Sequence, residues 1–476
     1  MKKVVIILVI QSISVFQIAF GQHDMHNMKG MQNMEPKQEK KTIKKHNNEA
    51  DSTHTSKASQ EQNGHEHAMN PGHDTMNMPM LMTDAYSLHL PMNRDGSGTS
   101  WQPDASSMYG YMVHANGWMF MFHGDVFIRY NKQDIFSAGN RGGEKWDAPD
   151  MLMAMAQKKL GRNGLFHVNV MLSTDAIIAG GSGYPLLFQT GESWNGKPLV
   201  DRQHPHDLFS EVSASYSFSF SQLADAFVYL GYPGEPALGP VTFMHRASGR
   251  FDPDAPIGHH WVDATHITFG VATIGMRYGK FKLEGSSFTG REPDENRYDF
   301  DRARFDSWSG RLSCNPSENW ALQVSDGFIK SPEALHPEED INRVTASATY
   351  SYKITGNKFF DATALWGVNK LEHIPASNAF LFEANYKCKK SDFYCRYEWV
   401  QKSREELNLD ASVYGAQTMY PVNAISAGYC YDLLNINRVR FAPGTQLSLY
   451  HADQVLNNLY GRNPFAWEIY LHIYPG

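Results

Sequence analysis

After residue 21 this chain of 476 residues has no apolar run of about 20 residues, the length that a membrane-spanning helix needs, and that excludes a helical membrane protein. Cysteine is scarce. The four present, Cys314, Cys388, Cys395 and Cys430, lie far apart and show none of the close spacings of zinc sites, so we read them as packing residues. No cysteine lies near Gly21, which argues against a lipoprotein. Positive charge is not in excess either: 43 Lys and Arg against 50 Asp and Glu leave a net charge of -7 with no basic stripe, and nucleic acid is excluded as a partner. Serines are plentiful but stand in no nucleophile motif. An outer-membrane hydrolase would need a triad scattered along the chain, recognisable only by its geometry.

The chain begins with Lys2 and Lys3, continues with an apolar stretch from Val4 to about Phe20, and offers small residues around Ala19 and Gly21. This is the pattern of a secretion signal over residues 1–21. Residues 22–93 follow with Lys, Gln, Asn, Ser, Glu and Met but almost no aromatic or β-branched side chains, too little apolar surface to fold, and are expected to be disordered in the periplasm. Within them, His23, Met25, His26, Met28, Met31 and Met34 form one cluster. His65, His67, His73, Met76, Met78 and Met80 form another. Thioether sulfur is a soft ligand for Cu(I) that has no proton to lose, whereas imidazole suits Cu(II), zinc and nickel. The bland alternative is a compositional linker.

From about residue 94 to the end the pattern changes to period two. Trp118, Phe120, Phe122, Val126 and Ile128 share one face of a strand; Met119, Met121, His123, Asp125 and Arg129 share the other. Similar alternation recurs to the C-terminus, in candidate strands near residues 151–160, 164–173, 207–220, 224–232, 266–278, 280–288, 303–315, 319–328, 342–354, 357–368, 378–389, 392–402, 419–432, 436–450 and 464–474. Tight turns, such as Gly161–Gly164, Tyr278–Lys280, Thr355–Asn357 and Leu434-Asn435, alternate with long polar connections at about 131–150, 174–206 and 233–265 and further along. The fold class expected is all-β: a transmembrane antiparallel β-barrel of about 16 strands, within a range of about 14 to 18, with short periplasmic turns opposite long outer loops. A mean hydropathy of -0.46 is compatible with this, because each strand is apolar on one face only.

If aromatic faces meet lipid, Met119, Met121 and His123 point inward, as do His167, Asn169 and Met171 of the third strand. The second strand is open at this stage, since Met151, Met153 and Met155 face away from an equally apolar Leu152, Ala154 and Ala156. These rows could make a soft-ligand patch, or simply line a pore or pack against a plug. A second group lies in the longest loops: His204 and His206 within Asp201–Asp207, then His245, then His259, His260, Asp263 and His266. Histidine and carboxylate at this density chelate divalent metals, or alternatively hydrogen-bond inside a constriction.

An exported Met/His-rich leader followed by such a barrel resembles the copper-resistance protein B family of Gram-negative bacteria, whose leader repeats are matched in kind by His23–Met34 and His65–Met82. The stretches Leu90–Asp104, Asp201–Asp207 and Gly258–His266 resemble uncharacterised Bacteroidetes barrels often found beside heavy-metal resistance functions, a likeness covering most of the chain. The resemblance implies outer-membrane location and a metal context. The expectation is a non-enzymatic barrel of copper binding, tolerance or efflux, with Cu(I) or Cu(II) as the metal and zinc or nickel as alternatives. Its partners would be outer-membrane lipid, metal ions and periplasmic metal chaperones or efflux components. A general or substrate-specific porin with an incidental metal-binding leader is the rival reading.

Overall fold

The computed structural model describes residues 82–372, 374–414 and 417–476. Sixteen antiparallel strands form one closed barrel: β1 Trp118–Gln133, β2 Asp150–Leu160, β3 Gly164–Leu172, β4 Phe209–Ser221, β5 Ala224–Gly231, β6 Val271–Tyr278, β7 Phe281–Phe288, β8 Ser307–Ser317, β9 Trp320–Ile329, β10 Ile341–Thr355, β11 Lys358–Leu371, β12 Ser377–Cys388, β13 Ser391–Ser403, β14 Met419–Tyr431, β15 Val439–Ala452 and β16 Phe465–Pro475. Each pairs with its neighbours in sequence. Closure comes from β1 against β16, with Val126 opposite Ile473 and Lys132 opposite Trp467. Below that pairing, the edge of β1 is covered by a short strand, Tyr111–Ala115, which the sequence pattern did not disclose. It turns back through Asn116-Gly117, both at positive φ, the combination that a two-residue hairpin turn requires.

The wall is apolar outside and polar inside. Along β4, Ser213, Ser215, Ser217 and Ser219 are buried while Tyr216, Phe218 and Phe220 are exposed on the outer face. Ile274 of β6 and Leu283 of β7 are 68% and 64% exposed in the same outward position. In water such a surface is unfavourable by roughly 25 cal/mol per Å²; facing lipid it is satisfied, and barrel closure leaves no unpaired strand edge. The residues therefore form a transmembrane barrel. Among the described residues no helix is long and apolar enough to cross a membrane.

The lumen is filled by three infolded segments, residues 82–110, 174–206 and 232–270. The first begins earlier than the expected boundary at residue 93, because Asp84, Tyr86 and Met92 are buried within the barrel: Tyr86 packs on Phe227, and Arg311 donates to Thr99. The third is pinned by ion pairs that span the lumen. Arg246 donates to Glu383 of β12 at 2.7 Å and Asp263 at 3.0 Å, Arg396 of β13 reaches Asp252 at 3.0 Å, and Arg129 of β1 reaches Asp254 at 2.7 Å. At the long-loop end Leu186, Leu187, Phe188, Trp261 and Val262 pack against the inner wall, so these loops carry a core of their own.

Two local expectations shift. The strand expected over residues 266–278 begins at Val271, because residues 259–266 curl into the lumen as two short helical turns. The tight turn expected at Leu434-Asn435 lies at Asn437-Arg438, since Leu434–Ile436 pairs back on Val439–Phe441.

Candidate metal centre

Register builds the first constellation. Across β1, β2 and β3 the inward rows align as Met121 opposite Met155, His123 opposite Met153, and Met153 opposite Met171; Gln157 stands between Met119 and His167. This settles the open face of β2 in favour of Met151, Met153 and Met155 pointing inward. With Met92 from the infolded segment, these residues form a cluster made of methionine alone: Met92, Met119, Met121, Met151, Met153, Met155 and Met171, all buried, with Met108, Met112 and Met244 packed against it. His123 adds an imidazole, its Nε2 lying 2.8 Å from Met153 Sδ. His167 is also buried, and its Nε2 has no hydrogen-bond partner.

The second constellation is assembled by loops. His204, His206, His259, His260 and His266 form a chain of rings whose centroids lie 5.1 Å apart for His259 and His266, 5.3 Å for His259 and His260, 5.5 Å for His206 and His266, and 6.0 Å for His204 and His206. Each Nδ1 has an oxygen partner or neighbour. His206 lies 2.7 Å from Asp175 Oδ2, His259 lies 2.6 Å from Asp263 Oδ1, and His266 lies 2.9 Å from the Asp263 carbonyl. His204 is anchored more loosely, 3.2 Å from the Pro205 carbonyl, and His260 stands 3.5 Å from Glu292. Gly191 makes room for the last ring: at φ +115 its hydrogen faces the His260 imidazole, where a Cβ would stand only 2.6 Å from the ring.

Burial governs the protonation of this cage. It lowers His260 to about 4 and holds His204 and His266 well below the usual imidazole range. His206 is the exception. Burial opposes its charge, but the hydrogen bond and charge of Asp175 prevail and raise it. Glu292 is pushed up to about 7 by burial. Neutral imidazoles are ligands, whereas protonated ones are not.

A single turn, Phe243–His245, connects the two constellations. Phe243 lies 5.4 Å from the His259 ring and 6.3 Å from His206 and His266; Met244 packs on the methionine cluster; His245 sits 5.7 Å from His123. The structure thus brings Met119, Met121, His123 and Met171 together, with His167 on the same inner face. It groups His204, His206, His259 and His260 separately. His23, Met25, His26, Met28, Met31, Met34, His65, His67, His73, Met76, Met78 and Met80 lie outside the described residues, as does the expected secretion signal.

Sequence reasoning missed Met92, Met108, Met112, Met244 and the carboxylate of Asp175. None of them lies in a strand that the alternation pattern had marked. Among the described residues, His336 with Glu338 and Glu339, and Asp294 with Asp299 and Asp301, hold three ligand atoms within 4.8 Å of one another; the loop histidines stand farther apart than that, and both closer groups sit on long loops.

No protein-family model and no curated protein matches the chain. Solved structures do. Salmonella typhi OmpF in complex with daunomycin matches 76% of this chain and 100% of its own at 9% identity and a TM-score of 0.47. Pseudomonas putida OprB matches 75% and 94% at 10% identity and 0.44, and an anion-selective porin from Comamonas acidovorans matches 75% and 99% at 12% identity and 0.43. The chain's own closed, even-stranded wall with its apolar outer band defines the class: this is an outer-membrane β-barrel.

Proposed function

We propose that this barrel handles a soft metal ion, copper(I) foremost, through the thioether cluster on the inner face of β1, β2 and β3. The observation that carries this reading is the composition of that cluster: seven buried side chains, every one a methionine, with three more against them. Methionine also fills irregular cores well, and packing is the competing role for this cluster. An unbroken set with an imidazole at its edge is a ligand set suited to Cu(I). The cluster runs from Met119, near the short-turn end of β1, to Met151 and Met171, beside the long-loop ends of β2 and β3; short turns face the periplasm in barrels of this class. Gln157, near the short-turn end of β2, donates to the Thr83 carbonyl. In this reading the leader captures copper delivered by periplasmic chaperones or efflux components, and the barrel sequesters it or gives it an outward path.

The test is Ag(I) and Cu(I) binding by the full chain in detergent, compared with a variant carrying Met119, Met121, Met153 and Met155 as Leu. The variant should fold, as judged by heat-modifiable mobility, and bind at least one ion fewer. Equal uptake by both proteins removes the reading. In planar bilayers, conductance that is large, steady and indifferent to Ag(I) favours the porin alternative.

A further inference from the structure

The geometry points to a second metal site, independent of the thioether reading: we infer that His206, His259, His260 and His266 form a cage for a borderline divalent cation of the Zn(II), Ni(II) or Cu(II) class, entered from the long-loop end. Three observations support it.

The first is ring orientation. A carbonyl oxygen only accepts, so the Nδ1 of His266 carries the hydrogen and its Nε2 is left with a lone pair; the carboxylates of Asp175 and Asp263 likewise accept from Nδ1 of His206 and His259, and a cation binding at Nε2 of His206 displaces the second proton that Asp175 favours there. Carboxylate or carbonyl on one nitrogen and an open lone pair on the other is how metal-binding histidines are held and made more basic.

The second is the cost of leaving those lone pairs unused. His206, His260 and His266 are 7%, 7% and 5% exposed, and the Nε2 atom of each is buried with no hydrogen-bond partner. Buried polar atoms in folded proteins are nearly always satisfied, and an ion satisfies several at once. The rings stand somewhat apart, so an ion held at ~2.0–2.1 Å by imidazole nitrogens would draw them inward.

The third is the approach. His260 also lines a cavity of 190 Å³ whose wall carries Glu192, Glu292, Glu333, Glu339, Glu405 and Glu406. Arg297 and Arg343 are present too, but Arg297 is already paired with Glu192 at 2.7 Å and Asp207 at 3.3 Å. Carboxylates outnumber guanidiniums on this wall, and an acidic cleft concentrates cations. Below the cage, Phe243 stands between it and the methionines, so that two ligand chemistries occupy one lumen without mixing.

The experiment uses the full chain crystallised with Zn(II), with anomalous scattering measured at the zinc edge. A peak enclosed by His206, His259 and His266 is expected; a map with no peak there, whatever the leader binds, overturns the proposal. In solution, His206→Gln with His266→Gln should abolish the tightest Zn(II) site. Asp175→Asn, which removes no ligand, should weaken that site ~10- to 100-fold. An unchanged Zn(II) titration in both variants overturns it as well. Ag(I) uptake should not change in either variant, and a parallel loss of Ag(I) would show one mixed site instead of two. Because the Met→Leu variant is read with Ag(I) and the cage with Zn(II), each reading fails on its own result.

Discussion

Two groups of side chains, one of thioethers and one of imidazoles, stand in the lumen, and they are held by opposite means. On β1, β2 and β3 the barrel's register places the strand methionines: Met121 faces Met155, and Met153 faces Met171, because a strand pair has no freedom to present them elsewhere. Toward the long loops the histidines stand on segments with little regular structure, held in place by buried ion pairs such as Arg246 to Glu383 and Asp254 to Arg129. A site on strands inherits the rigidity of the wall. A site on loops lasts only as long as its anchors do.

The contrast is tested most severely at Glu383, whose carboxylate receives both Arg246 and Arg396. Glu383→Ala removes one of the two carboxylates that each guanidinium meets, leaving Arg246 with Asp263 and Arg396 with Asp252, and should destabilise the fold by ~3 kcal/mol, with loss of the loop site before the strand site. Urea unfolding followed by heat-modifiable mobility, with Ag(I) and Zn(II) binding in parallel, measures this. A loss of less than ~1 kcal/mol would mean that the loops do not depend on their ion pairs.

A smaller effect is expected at Gly191. Gly191→Ala puts a side chain at φ +115 against the His260 ring and should cost ~1–3 kcal/mol. Zn(II) affinity should fall while Ag(I) affinity stays, as isothermal titration would show. The methionines should respond in the reverse sense. Met121→Leu with Met155→Leu conserves volume, so stability should change by less than ~1.5 kcal/mol for each while Ag(I) binding drops. Thermal unfolding alongside Ag(I) titration separates packing from ligation.

The smallest effect concerns Glu235, which binds the infolded N-terminal segment to the third segment through hydrogen bonds from Ser97 at 3.1 Å and Thr242 at 3.2 Å. Burial pushes its carboxyl up to about 8 from an ordinary 4.5. The folded chain then holds this proton more tightly than the unfolded chain, so the stability contributed is full below about 4.5 and lost as pH rises through about 8. Glu235→Gln should therefore reduce the fall in melting temperature between pH 5 and pH 9. An undiminished fall would place the pH dependence elsewhere.

The wall of this protein was legible from its residues because a strand in lipid obeys one local rule: alternate side chains meet different solvents. That rule, together with alternating connection lengths, located all sixteen strands to within a few residues, except where residues 266–270 leave the wall. It also put Met119, Met121, His123, His167 and Met171 on the inner face. Met92, Met244 and Asp175 could not be placed this way, since they stand on segments with no period, and their positions depend on which wall residue each loop happens to reach.

What the sequence determined by itself was thus the barrel, its inward rows and the presence of soft and imidazole ligands in quantity. Tertiary structure alone decided that the ligands divide into two groups, that Phe243–His245 lies between them, and that residues 83–93 belong inside the barrel. The physical reason is range. Alternation acts between neighbouring residues and is written along the chain, whereas the infolded loops are held by pairs such as Arg246 with Glu383, 137 residues apart, whose meeting no local pattern encodes.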